Sequence, residues 1–418
     1  MNRSPLFYIF AVLFTIGSLT SCKKEGGAVD NTGDIVVGEF ASLTGQTATF
    51  GQSVTEGSHL AFDEINEAGG VLDRKIKVVT EDDQSKTEDA NAAVQKLISR
   101  DNVIALLGEV ASSRSMAAAP TAQNAKIPMI SPASTNEEVT KKGDYIFRIC
   151  FIDPFQGEAL ANFALKSLNA KRAAVLQDVR QDYSLGLAEA FKRTFLAGGG
   201  QIVSEQSYSS SDKEFRAQLT SVRSSQPDVI FVPGYYNEVS LIVRQARELG
   251  LTVPLLGGDG WDSPELTKGA EKEFENTYLS NHFAAEDPDP IVQGFVTKYK
   301  QKYGKSPDAM AALGYDAARI LADAIKRAGT TEGPKLRDAI AQTKDFLGVT
   351  GKITINAQRN ADKPLTILKV VNGQFKFHQR VDPSGATSGS TAAPAPDSSA
   401  AATPDTTKKN VTAPAGAK

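Results

Sequence analysis

Hydroxyl side chains are concentrated at two places in one short stretch of the 418-residue chain. Gly108-Glu109-Val110-Ala111-Ser112-Ser113-Arg114-Ser115 follows an apolar run at residues 103–107, and Ser131-Pro132-Ala133-Ser134-Thr135 follows a second run at 127–130. Free backbone amides at a helix start, assisted by serine hydroxyls, suit a carboxylate or a phosphate. The same residues also serve as ordinary helix caps and turn formers. Two such clusters at the ends of adjacent strands bring the ligand reading level with the capping one.

Catalytic equipment does not accompany them. His59, His282 and His378 are far apart, have no ligand-type spacing, and read as surface or packing residues. The two cysteines, Cys22 and Cys150, are too few for a metal cluster or a disulfide framework. Cys150, between Ile149 and Phe151, reads as a small buried packing residue. There is no G-x-S-x-G elbow and no G-x-G-x-x-G at a strand-to-helix turn. Gly304-Lys305-Ser306 ends like a P-loop, but Tyr299 stands where the leading glycine is needed and a charged helix precedes it. The chemistry available is binding: no enzyme, no cofactor and no metal are expected.

The elements that must position these residues alternate. Short apolar runs at 34–40, 75–80, 103–107, 127–130 and 145–149 read as strands, separated by helical stretches such as 51–68, with Val54, Ala61 and Ile65 on one face. Gly69-Gly70 ends that helix, and the hydroxyl-bearing loop leads into another over 116–126. The rhythm restarts with a strand at 172–177, a turn at 178–183 and a helix through 197. Further strands are predicted at 201–208, 229–232 and 253–256, the last two ending in Pro233-Gly234-Tyr235-Tyr236 and Gly257-Gly258-Asp259-Gly260-Trp261. Two helices near 289–303 and 309–328 precede a β-rich end at 352–355, 365–371 and 376–381, with a hairpin at Asn372-Gly373. This is the α/β class, with two doubly wound units. Such sheets take ligands beyond the carboxyl ends of their strands, so a ligand between two lobes is expected.

The remaining composition bounds the setting. A 41% hydrophobic and 23% charged chain is ordinary globular protein, and a net charge of −3 with no basic run argues against nucleic acid. Arg3, the apolar residues 6–19 and Leu19-Thr20-Ser21-Cys22 form a targeting segment that resembles the bacterial lipoprotein cleavage box, so residues 1–22 are expected to be a signal peptide ending at a lipidated Cys22. Residues 23–33 read as a tether. Residues 383–418, rich in Ser, Thr, Ala, Pro and Gly, read as a disordered tail.

Six segments in order resemble one family. They are Thr44-Gly45 through Asp63-Glu64-Ile65-Asn66 to Gly69-Gly70; Gly108 to Ser115; Ile130 to Thr135; Gln181-Asp182-Tyr183-Ser184-Leu185-Gly186; Gly234-Tyr235 with Arg244-Gln245-Ala246-Arg247; and Gly257-Gly258-Asp259-Gly260. Over 34–382 the chain resembles the periplasmic leucine/isoleucine/valine-binding proteins, the solute-binding components of branched-chain amino acid ABC importers. The resemblance implies two Rossmann-like lobes joined by three crossovers, the type I periplasmic binding protein fold, with one lobe from 34–152 plus 282–348 and the other from 153–281 plus 349–382. It also implies that Ser112 and the Thr135 amide hold the ligand carboxylate, and that the Ala133 carbonyl and Thr135 hydroxyl face its ammonium. Tyr183 and Tyr235 would close over the ligand. Phe50 falls where the family often has tyrosine, leaving it a pocket wall. Asp259 falls where the family places an acidic partner for the ammonium, often glutamate. Trp261, the only tryptophan, is either a wall of the side-chain pocket or a packing residue. The implied partners are a small, aliphatic amino acid, an ABC permease in the inner membrane, and the membrane through the lipid, with the protein monomeric at the periplasm or cell surface. A ligand-sensing receptor module, or a relative binding an amide, urea or aromatic acid, is the alternative. A ligand without an amino group would have no need of Asp259.

Overall fold

In the computed structural model, residues 33–383 and 387–389 are described. The segment carrying Cys22, and most of the segment 383–418, lie outside the described residues.

The apolar runs of the first half form one parallel sheet. Its strands are β1 (Ile35–Ala41), β2 (Ile76–Asp82), β3 (Leu106–Leu107), β4 (Met129–Ser131) and β5 (Ile146–Arg148), in the order β2-β1-β3-β4-β5. The helices between them are α1 (Ala48–Glu67), α2 (Thr87–Ser99), α3 (Ser112–Ala125) and α4 (Glu138–Lys141). The strand order reverses between β1 and β3, and the crevice beyond such a reversal is where a doubly wound sheet takes its ligand. Two local readings need correction. The run at 103–107 is regular strand only at Leu106–Leu107, and the serines expected ahead of a helix at 116 lie inside that helix, because α3 begins at Ser112.

The second half repeats the plan. β6 (Arg172–Asp178), β7 (Gln201–Tyr208), β8 (Val229–Phe231), β9 (Leu255–Gly257) and β10 (Thr277–Asn281) lie in the order β10-β9-β8-β6-β7, the reversal now falling between β6 and β8. Their helices are α5 (Asp153–Lys166), α6 (Asp182–Ala197), α7 (Arg216–Ser224) and α8 (Tyr236–Glu248). The sequence reading contains no strand at 277–281. β10 is buried on both faces, and its polar Thr, Ser and Asn mask the apolar signal.

The chain then adds α9 (Pro290–Tyr303), α10 (Ala309–Ala328) and α11 (Gly333–Ala341) beside the first sheet. Gly304, the glycine of the rejected P-loop, is the left-handed cap that ends α9 (φ 70°). α10 lies close against α1: a Cβ at Gly57 would run into the Ala311 carbonyl oxygen, and one at Gly314 into that of Val54. This close approach sets the spacing of the first turns of α1 and α10, which carry Phe50 and Met310.

The end of the chain departs in part from expectation. β14 (Leu365–Val371) pairs antiparallel with β10, and β15 (Gln374–Val381) follows through a tight turn with Asn372 at φ 51° and Gly373 at φ 74°. These two extend the second sheet as expected. The intervening β12 (Gly351–Ile355) and β13 (Ala361–Asp362) do not; they make a small antiparallel sheet with β11 (Phe346–Gly348). Gly351, at φ 100°, closes a reversal that pairs β12 with its nearest chain neighbour. Arg359 and Asn360 then tie this piece to Arg148 and Thr140, on the side of the first sheet. Within the stretch read as an unstructured tail, β16 (Thr387–Gly389) pairs with the edge of β15.

Candidate functional site

The carboxyl ends of both sheets converge on a small, tightly closed cavity lined by Phe50, Val110, Ala133, Thr135, Tyr183, Tyr235, Asp259, Gly260 and Met310. Phe50 and Val110 follow β1 and β3 and flank the reversal in the first sheet. Tyr183 and Tyr235 follow β6 and β8 and flank the reversal in the second. Ala133 and Thr135 come after β4, and Asp259 after β9. Larger hollows lie between α5 and β15 and behind the crossovers around Val349, but neither gathers loops from both sheets. The lobes touch around the cavity. The Ser113 hydroxyl donates to Asp182 Oδ2 (2.8 Å), the Tyr236 hydroxyl to the Gln46 carbonyl (3.0 Å), and the Ala309 amide to Asp262 Oδ2 (2.6 Å).

Six of the seven expected binding residues line this cavity. Ser112 is the exception: it is buried, and its hydroxyl accepts the Asn136 amide at 3.1 Å. The other serine hydroxyls of the two clusters are also occupied, whereas the buried Thr135 hydroxyl has no partner. Ser131 and Ser134 both donate to the Glu109 carbonyl, Ser115 accepts the Glu109 amide, and Ser115 and Ser134 are 2.8 Å apart. Most of the hydroxyl pattern therefore locks the two loops to each other, and Thr135 alone reaches the cavity from it. Beneath them Arg114 pairs with Glu109 at 3.0 Å, both buried, and donates to the Thr47 hydroxyl.

Aromatic rings form the apolar walls. Tyr183 and Tyr235 stack with centroids 5.1 Å apart, and Phe50 meets Tyr235 edge-on at 5.9 Å. The Tyr183 hydroxyl accepts the Gly260 amide at 3.1 Å. Burial raises both phenols well above their ordinary range, so they stay neutral donors. Trp261 is not a wall. Its ring is fully buried against Gly257, and its Nε1–H donates to the Val232 carbonyl at 3.0 Å.

The polar end is negative. Asp259 is buried, and its amide donates to Gln156 Oε1 at 3.0 Å; its Oδ2 faces His282 Nε2 at 3.1 Å, while its Oδ1 has no partner. Asp153, the first residue of α5, has two buried carboxyl oxygens outside hydrogen-bonding geometry. Burial lifts its carboxyl well above the usual range; Thr135 and Arg148 oppose the shift, and the charge of Asp259 adds to it. A buried cation supplied from outside would satisfy this end of the cavity.

Asp153, His282, Val110, Gly260 and Met310 were not singled out in the sequence. His282 is buried, so the surface reading does not hold for it, and it lies beside Asp259. Its partner Asp259 is 23 residues away with a strand between them, a relation that no local pattern carries.

Comparison with known proteins identifies the family and the fold. Residues 34–374 match the family model described as periplasmic binding protein, and the chain belongs to that family. The Leu/Ile/Val-binding protein BraC3 of Rhizobium johnstonii is 30% identical over 324 residues, covering 77% of this chain and 87% of the relative. The leucine-binding protein LivK of Thermotoga maritima is 41% identical with a TM-score of 0.81, covering 84% of this chain and 99% of that one. LivJ of Streptococcus pneumoniae, a branched-chain amino acid transporter substrate-binding protein solved with isoleucine, is 34% identical with a TM-score of 0.79, covering 82% and 98%. The fold is thus the type I periplasmic binding protein fold, and the family is one of extracytoplasmic solute-binding proteins.

Proposed function

We propose that this protein captures a free aliphatic amino acid of the branched-chain class between its lobes and delivers it to an ABC importer. One observation carries the reading: a buried carboxylate oxygen, Asp259 Oδ1, without a partner beside a cavity otherwise walled by Phe50, Val110, Tyr183, Tyr235 and Met310. A zwitterion is expensive to desolvate, so each charged end needs a matched partner. Asp259, the Ala133 carbonyl and the Thr135 hydroxyl take the ammonium. The Thr135 amide takes the carboxylate, with Ser112 behind it bracing the loop through the Asn136 amide. The aromatic and aliphatic walls take the side chain. Affinity comes from closure of the lobes, and no chemical step is required. An amide, urea or aromatic acid would leave Asp259 unmatched.

Leucine, isoleucine and valine, each at 100 times its dissociation constant, are expected to stabilise the protein by about 2.7 kcal/mol in thermal-shift experiments. Benzoate and small amides should have no effect. Stabilisation by these and by none of the amino acids would overturn the assignment.

The chain is further proposed to act as a monomer held at the membrane by a lipid on Cys22. A Cys22→Ala protein should move from the membrane fraction to the soluble fraction with leucine binding intact. Persistence in the membrane would remove the anchor.

A further inference from the structure

Two crossovers between the lobes meet at His282. The residue follows β10 directly, at the start of the chain's return to the first sheet. Its ring is fully buried and stacks on Phe151, in the crossover that leads from β5 to α5, with centroids 3.7 Å apart and planes 20° apart. One ring edge is 3.1 Å from Asp259 Oδ2; the other nitrogen, Nδ1, has no partner.

The chemistry of this pair defines its protonation. A carboxylate only accepts, so the nitrogen facing it carries the proton, and His282 is the Nε2–H tautomer when neutral. Burial pushes the imidazole down to about 4, against the pull of Asp259. A protonated ring would form an ion pair and cancel the charge of Asp259. A neutral ring fixes the carboxylate and leaves its charge available.

We infer that His282 is a positioning residue: a neutral Nε2–H donor, seated on the crossovers, that holds Asp259 Oδ2 so that Oδ1 faces the ligand ammonium. The inference rests on the assignment of Asp259 to the ammonium. It also ties the ammonium subsite to the part of the chain whose backbone must turn when the lobes separate. Asp259 sits in a three-residue turn, Asp259–Trp261, and a short carboxylate there has more than one staggered orientation. The hydrogen bond from His282 selects one of them before the ligand arrives, which avoids an ordering cost on binding.

The test compares leucine with its deaminated counterpart, 4-methyl-2-oxopentanoate, by calorimetry on the full mature chain. His282→Gln places an amide N–H near the position of Nε2, and His282→Asn does not reach it. His282→Phe keeps the stacking on Phe151 and loses the donor. Phe and Asn variants are expected to weaken leucine roughly tenfold to a hundredfold, with the keto acid changed much less. Gln should keep most of the wild-type difference between the two ligands. If His282→Phe does not fold, as judged by circular dichroism, the Gln and Asn pair carries the comparison. Equal losses for both ligands in every variant, or a Gln variant no better than Asn, would make His282 a packing residue and overturn the inference. Asp259→Asn, measured alongside, separates the two levels. If it fails to distinguish leucine from the keto acid, the ammonium assignment falls and the role of His282 falls with it. If Asp259→Asn distinguishes them and the His282 variants do not, only the positioning role is lost.

Discussion

Asp259→Asn is expected to weaken leucine binding by roughly 2–5 kcal/mol, the cost of leaving a buried charge without its partner. The substitution keeps the size of the side chain and most of its hydrogen-bonding capacity. An amide still accepts from His282, but it carries no charge for an ammonium that has been taken out of water. Calorimetry with 4-methyl-2-oxopentanoate supplies the control, because that ligand keeps the carboxylate and the branched side chain and lacks the amino group. Its affinity should be unchanged or improved. Asp153 blunts the contrast in part: with the charge at Asp259 gone, one of the influences that keep its carboxyl raised is removed, so Asp153 ionises more readily and restores some of the lost negative charge. Equal losses for both ligands would mean that Asp259 serves the fold and not the ammonium.

Trp261→Ala should cost about 3–5 kcal/mol of folding stability, the usual range for removing a large aromatic ring from a core. Two effects combine. The ring is fully buried and fills the space over Gly257, and its Nε1–H is the donor to a carbonyl at the end of β8. Removing the ring leaves both a cavity and an unsatisfied Val232 oxygen. Trp261→Phe should lose less, since it refills most of the volume but not the hydrogen bond. Unfolding in denaturant followed by circular dichroism measures this, because the protein's only tryptophan is then gone. The order of preference among leucine, isoleucine and valine should be unchanged in both variants, since the ring does not line the cavity. A shift toward larger ligands with little loss of stability would instead make Trp261 a wall of the side-chain pocket.

The sequence by itself determined the class of fold and the loops that carry the site. Alternating apolar runs and helical periods demand parallel sheets covered on both faces, and that demand places the functional loops at strand carboxyl ends. The motif resemblance then named Phe50, Ala133, Thr135, Tyr183, Tyr235 and Asp259, which line one cavity in the folded chain. Only the tertiary structure decided what each polar group is free to do. The serines of the two clusters looked alike in the sequence; folded, Ser115, Ser131 and Ser134 are used up against Glu109 and one another. His282 carried no local sign of a partner, and Met310 reaches the cavity from a helix that begins 178 residues after β4 ends at the site's other loop, as the ranges Ala309–Ala328 and Met129–Ser131 show. The same limit applies to strands: β10 was hidden by its polar residues, and β12 was drawn to β11 by a glycine reversal. Periodicity and turn chemistry act over a few residues and can be read from them. A hydrogen bond has a limited number of donors and acceptors, and which of them remain for a ligand depends on every neighbour that packing brings within 3 Å or so.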